Sequence, residues 1–139
     1  MKLVKKHLAV FAAVLLVSCL CISPVLASTK TVSGTLAGYT CKVWVSARAP
    51  SSNSSVGETT YGTKAGVAVK TWTRCVRLGG TTHDEFKNAS SNDAYSVSAT
   101  CSVPADLVKI GYEIATGKAD GTITNGKTWS DTTSWVNAS

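Results

Sequence analysis

Apolar and polar residues alternate with a period of two in several separate stretches of this chain. In Tyr39 to Arg48, positions Tyr39, Cys41, Val43, Val45 and Ala47 alternate with Thr40, Lys42, Trp44, Ser46 and Arg48. Successive side chains of a strand point to opposite faces, so this run predicts a strand with one core face and one hydroxyl-rich or charged face. Ala94 to Val103 repeats the pattern, with Tyr95, Val97, Ala99, Cys101 and Val103 on the apolar side. Val108, Ile110, Tyr112 and Ile114 alternate in the same way with Lys109, Gly111, Glu113 and Ala115.

Gly66 to Leu78 is less regular. Val67, Val69 and Cys75 share a phase with Thr71 and Thr73, and the other phase mixes Ala68, Trp72 and Val76 with Lys70 and Arg74. A bulge near Thr71–Thr73 would reverse the phase there. Thr31 to Leu36 and Lys127 to Val136 read as outer strands, and Ala49 to Thr60, Gly79 to Asp93 and Gly117 to Gly126 as loops. Pro104 to Leu107 has room for one helical turn at most. The expected fold class is therefore all-β, a small antiparallel β-sandwich of immunoglobulin-like or jelly-roll-like topology. Its shared core takes Cys41, Val43, Val45, Val97, Ala99, Ile110 and Ile114. Trp44 follows Cys41 too closely, and Tyr95 precedes Cys101 by too much, for the immunoglobulin cysteine–tryptophan pattern.

The first 27 residues break the alternation. Lys2, Lys5 and Lys6 precede an uncharged apolar run from Leu8 to Ile22, then Pro24 and the small-residue site ending at Ala27. This is the layout of a secretory signal peptide, and the run is short of the ~20 residues a membrane span needs. Residues 1–27 are thus expected to be removed, leaving a single secreted domain over 28–139 with no stable membrane span. The alternative is lipid anchoring at the cell surface through Cys19, because Leu16-Val17-Ser18-Cys19 has the form of a lipobox.

Removal of the leader changes the charge. Three of the 14 Lys and Arg residues go with it, so 11 face 8 acidic residues, and the formal +6 falls to about +3. So mild and mixed a charge gives no nucleic-acid footprint, and no nucleic-acid partner is expected. Large aliphatics are scarce beyond Leu26, and a disulfide would help so thin a core. If Tyr39–Arg48 and Gly66–Leu78 are antiparallel neighbours, Cys41 meets Cys75, and a Cys41–Cys75 bridge leaves Cys101 as a buried free thiol.

Candidate chemistry is sparse. His83 is the only histidine beyond the leader and lies in a polar loop, so no acid–base partner is visible for it or for a cysteine. Asp120-Gly121-Thr122 resembles the centre of an EF-hand loop, but Lys127 falls where the bidentate glutamate belongs, and a lysine there repels calcium. We expect no enzyme, no cofactor and no metal site. Asn53, Asn88 and Asn137 begin Asn-X-Ser triplets, which matter only in a glycosylating host.

The tryptophans carry the functional hint. Trp44 lies on the polar phase beside Lys42, Trp72 shares a phase with Lys70 and Arg74, and Trp129 and Trp135 share a face if the C-terminal segment is extended. Exposed aromatics among hydroxyls and cations suit stacking on sugars or docking on proteins. The expected function is a non-enzymatic binding module for an extracellular glycan, cell-envelope polymer or protein, using Trp44, Trp72, Lys42, Lys70 and Arg74. The alternative is a secreted effector, an antimicrobial, toxin or inhibitor acting on other cells.

Overall fold

The computed structural model describes residues 28–49 and 53–139. The expected signal peptide, its expected cleavage site and Cys19 lie outside the described residues. Seven strands follow in chain order: β1 (Ser28–Leu36), β2 (Tyr39–Arg48), β3 (Ser54–Arg77), β4 (Thr82–Ser102), β5 (Tyr112–Asn125), β6 (Lys127–Thr132) and β7 (Val136–Asn137). A five-residue helix, α1 (Ala105–Lys109), separates β4 from β5. All pairings are antiparallel and belong to one sheet, ordered β1-β2-β3-β5-β6, with β4 on β3 and β7 on β5.

The architecture rests on β3, which at 24 residues is several times longer than an ordinary strand. Its first arm, residues 54–61, pairs with β2. Its second arm, residues 66–77, pairs with β5. β4 follows both arms, and its register on β3 shifts between Thr60 and Ala65 and again between Ala65 and Val67. Register shifts of this kind bend and twist a strand, and here they fold the sheet into a half-barrel whose two arms face each other.

Inward positions of β3 include Thr59 and Tyr61 on the first arm and, after the break at Gly62–Lys64, Ala65, Val67, Val69, Thr71, Thr73 and Cys75 on the second, all buried. No phase reversal occurs at Thr71–Thr73. The two threonines belong inside because their hydroxyls reach backbone across the gap: Thr71 Oγ1 donates to the Ala99 carbonyl at 3.2 Å and Thr73 Oγ1 to the Cys101 carbonyl at 2.7 Å. A buried hydroxyl with a backbone acceptor avoids the desolvation cost that would otherwise keep it outside. The arms approach closely because β5 presents glycine where they meet. A Cβ on Gly121 would lie 2.7 Å from Val43 Cβ and from Thr59 Oγ1, and one on Gly117 would lie 2.7 Å from Ser55 Cβ.

Two apolar clusters fill the interior. One gathers Val43, Val45, Ala47, Val69, Cys75, Ala99, Val103, Ile114 and Ala119; the other gathers Leu36, Cys41, Tyr61, Ala65, Val67 and Ile123. Of the expected core, Cys41, Val43, Val45, Ala99 and Ile114 are buried and Val97 is partly buried, but Ile110 is 51% exposed. The run from Val108 onward is not one strand. Pro104 caps α1, Val108 N–H donates to the Pro104 carbonyl, and Gly111, at φ +90°, ends the turn before β5 begins. Period-two alternation in Val108–Ile114 was thus produced by a helix end followed by a strand start.

The segments read as loops, Gly79 to Asp93 and Gly117 to Gly126, are largely strand, as is Ala49 to Thr60 from Ser54 on. Their hydroxyl, Asn and Asp content suits turns, yet residues 82–91 pair with 67–76 of β3, residues 117–124 with 66–73 of β3, and residues 54–60 with 42–48 of β2. Gly79-Gly80 and Gly126, all at positive φ, make tight connections between these strands.

Cys41, Cys75 and Cys101 are all buried and unbonded. The expected Cys41–Cys75 bridge is a correction. Cys41 pairs with Tyr61 on the first arm of β3, whereas Cys75 is at the far end of the second arm. The two sit in different clusters. The physical reason is the neighbour: β2 pairs with residues 54–61 of β3, not with the segment that holds Cys75.

Candidate functional site

Outward positions on the second arm of β3 and its two neighbours form a continuous patch. Register aligns Phe86, Trp72 and Lys118 in one row, Asp84, Arg74 and Thr116 in the next, and Asn88, Lys70 and Asp120 in a third. Trp72 and Phe86 meet with ring centroids 5.2 Å apart. Lys70 Nζ stands 4.0 Å from the Trp72 centroid and 4.1 Å from that of Phe86. On the other side, Lys118 Nζ lies 5.3 Å from Trp72 and 5.7 Å from Trp135, and Arg74 Cζ is 4.5 Å from Trp135. Cations and ring faces attract, so each long side chain holds its neighbours in place.

Two carboxylates complete the order. Trp72 Nε1–H donates to Asp120 Oδ2 at 2.8 Å, and Lys118 Nζ is 3.4 Å from Asp120 Oδ1. Arg74 grips Asp84 through two hydrogen bonds of 2.8 and 2.7 Å. That bidentate contact holds the Asp84 carboxyl below its ordinary range and raises Arg74. Trp72 is half-buried by this company, while Phe86 keeps 48% of its surface open.

Beside Lys70 the face hollows out. Small side chains on β3, Ala68 and Gly66, lie between Ser90 and Asn92 of β4 and Thr122 and Thr124 of β5. Two overlapping shallow hollows of about 390 and 450 Å³ follow this line. Asn88, Ser90, Asn92, Thr122 and Thr124 present amide and hydroxyl groups along it. Aromatic surface at one end and a polar trough at the other make an elongated platform of mixed chemistry.

The five sequence-derived binding residues divide into two groups. Trp72, Lys70 and Arg74 belong to this patch. Trp44 and Lys42 lie on the outer face of the other arm, where Trp44 is flanked in register by Thr31 and Glu58 and its Nε1–H donates to Glu58 Oε2 at 3.0 Å. Because the inner faces of the arms pack together, the two outer faces look in opposite directions. Trp129 and Trp135 also separate: Trp129 packs against Gly34 and the interior, whereas Trp135 stacks on Arg74. β6 ends at Thr132, so the six-residue spacing does not run along one strand. Phe86, Lys118 and Asp120 are members that the sequence pattern did not point to, and Trp135 joins them through Arg74 and Lys118 rather than beside Trp129. Phe86 and Lys118 stood in segments read as loops, and only the register sets them beside Trp72.

A second set of polar groups deserves comparison with catalytic geometry. His83 is the register partner of Cys75, and His83 Nε2 shares a 2.7 Å hydrogen bond with Glu85 Oε1. Cys75 is fully buried, and burial pushes its thiol up to about 11, far from the thiolate that nucleophilic chemistry requires. Burial raises Cys41 and Cys101 in the same direction. Among the described residues, no three His, Cys, Asp or Glu side chains are grouped to hold a metal ion, and no helix is long and apolar enough to cross a membrane. Comparison with known proteins finds no family model and no curated relative that this chain matches.

Proposed function

We propose that this chain is an exported, non-enzymatic binding module whose ligand is an extended, hydroxyl-rich polymer such as a glycan or cell-envelope polymer. The observation that carries this reading is the outer face of β3, β4 and β5, where the open Phe86 ring and Trp72 lead into a trough of Asn, Ser and Thr side chains. Sugar rings present apolar faces to aromatic side chains and hydroxyls to amides and hydroxyls, so both ends of the platform have a use. Lys70 and Lys118 add donors for an acidic substituent on such a polymer. We read the two facing arms as a miniature sandwich that holds this face flat.

The test is a panel of glycans and envelope fragments against the full chain, with Trp72→Ala, Phe86→Ala and Trp44→Ala in parallel. Loss of a stacked ring is expected to weaken binding roughly tenfold or more for the first two, since about 1.4 kcal/mol corresponds to tenfold. Trp44→Ala is expected to leave binding within about twofold, as for a residue outside the contact. A panel without any ligand, or binding indifferent to Trp72 and Phe86, rejects the proposal.

A second reading, a secreted effector acting on other cells, draws on one other observation. Leu78 is 100% exposed at the β3–β4 turn, and Ile110 and Val108 are also exposed. Leu78 and Gly111, the neighbour of Ile110, border the same cleft. Growth inhibition of other bacteria that is abolished by Leu78→Ser and untouched by Trp72→Ala would favour it over polymer binding.

A further inference from the structure

Three cysteines lie in the interior, and two of them flank the same threonine. Thr73 and Cys75 are consecutive inward residues of β3, both fully buried. Thr73 Oγ1 donates to the Cys101 carbonyl at 2.7 Å, and its hydroxyl is 2.5 Å from that of Ser55, which is the register partner of Cys101 on the facing arm. The backbone of Cys101 is therefore laid across Thr73, and Cys75 occupies the next inward position, diagonally opposite. A negative charge on Cys101 is felt at Cys75, where it opposes ionisation. Cys41 belongs instead to the cluster of Leu36, Tyr61, Ala65, Val67 and Ile123.

We propose that Cys75 and Cys101 are a redox pair, oxidised to a disulfide that staples the end of β4 to the second arm of β3 and leaves Cys41 as the free thiol. The oxidant is a disulfide of low molecular mass or of a thiol oxidoreductase. One cysteine thiolate attacks it to give a mixed disulfide, and the second displaces the remaining oxidant sulfur as a thiol. Two cysteine thiols and one oxidant disulfide thus become one protein disulfide and two oxidant thiols, with the two protons carried by the latter. Both sulfurs are shielded, and burial disfavours the attacking thiolate in the closed fold. The bond accordingly forms while the β3–β4 ribbon is still open and is trapped as the arms close, with sulfurs about 2.05 Å apart. Export enters this inference only as the source of oxidant, and polymer binding does not enter it.

The full chain is refolded with glutathione disulfide, denatured in the presence of an alkylating reagent, and mapped as peptides without reduction. A peptide joining Cys75 to Cys101, with Cys41 recovered alkylated, is the expected result. A link from either to Cys41 or to a leader cysteine, or recovery of both as alkylated residues, overturns the proposal. The thermal midpoint gives an independent reading. Oxidised protein is expected to melt on the order of 10 °C above reduced protein. Cys41→Ala is expected to keep that difference and Cys101→Ala to abolish it. The opposite pattern overturns the assignment, and should Cys101→Ala fail to fold, the peptide map of the unsubstituted chain decides alone.

Discussion

Trp44 and Trp72 occupy equivalent positions in the local pattern: each is the outward tryptophan of an alternating strand with a lysine two residues before it. Their surroundings could hardly differ more. Trp44 has threonine on one side and a single carboxylate partner on the other. Trp72 is set between Phe86 and Lys118, capped by Lys70, and bonded to Asp120. Cross-strand neighbours, which come from distant parts of the chain, decide whether an outward aromatic becomes a site. The second arm of β3 gathers such a cluster because β4 and β5 both supply aromatic or charged residues to it. The other arm meets mostly Ser and Thr.

Unfolding measurements sharpen this contrast first. Trp72→Ala is expected to cost about 3 kcal/mol, because it removes a half-buried ring with its packing and a hydrogen bond. Trp44→Ala is expected to cost about 1 kcal/mol, and equal costs would break the distinction. Beneath both faces, Val43→Ala should cost roughly 2 kcal/mol, whereas Ile110→Ala on the exposed end should cost about 0.5 kcal/mol. Chemical denaturation of the two variants checks that order.

A double-mutant cycle between Lys70 and Trp72 should return a coupling of about 0.5–1 kcal/mol, and the equivalent cycle between Lys42 and Trp44 close to none. Alkaline unfolding tests the interior in reduced protein. The Cys75 thiol titrates at about 11 when folded against an ordinary 9.0. The unfolded chain therefore ionises first, so its contribution to stability is full below pH 9 and is lost as pH rises through 11. Cys75→Ala should flatten that decline. The smallest effect is at acid pH. Asp84 is held below its ordinary 3.8 by Arg74, so the pair's contribution is present above that value and fades as pH falls through the lower folded one. The Asp84 carboxyl resonance should titrate at higher pH in Arg74→Ala than in the unsubstituted chain.

Much of the local structure follows from residues alone. Alternation in Tyr39–Arg48 and in the later part of Ala94–Val103 identified strands, and the buried side of each was the valine, alanine and cysteine side. Side-chain period is a property of the extended backbone itself, so it survives any tertiary arrangement. Hydroxyl-rich strands were not legible, since Ser, Thr, Asn and Asp serve both turns and solvent-facing ladders. Thr71 and Thr73 are the clearest case: nothing local announces that their hydroxyls bond to the carbonyls of Ala99 and Cys101 on the facing arm.

What tertiary structure alone decided is which strand lies beside which. β3 changes neighbours midway, from β2 to β5, and that exchange placed Cys41 with Tyr61, Cys101 across from Thr73, and Phe86 and Lys118 on either side of Trp72. Pairing between distant segments depends on how well whole faces pack once the sheet has curled, and on register shifts near Ala65 that no short window of sequence reveals. Alternation along the chain marks the two faces of a valine-rich strand; the curl of the sheet decides what each face meets.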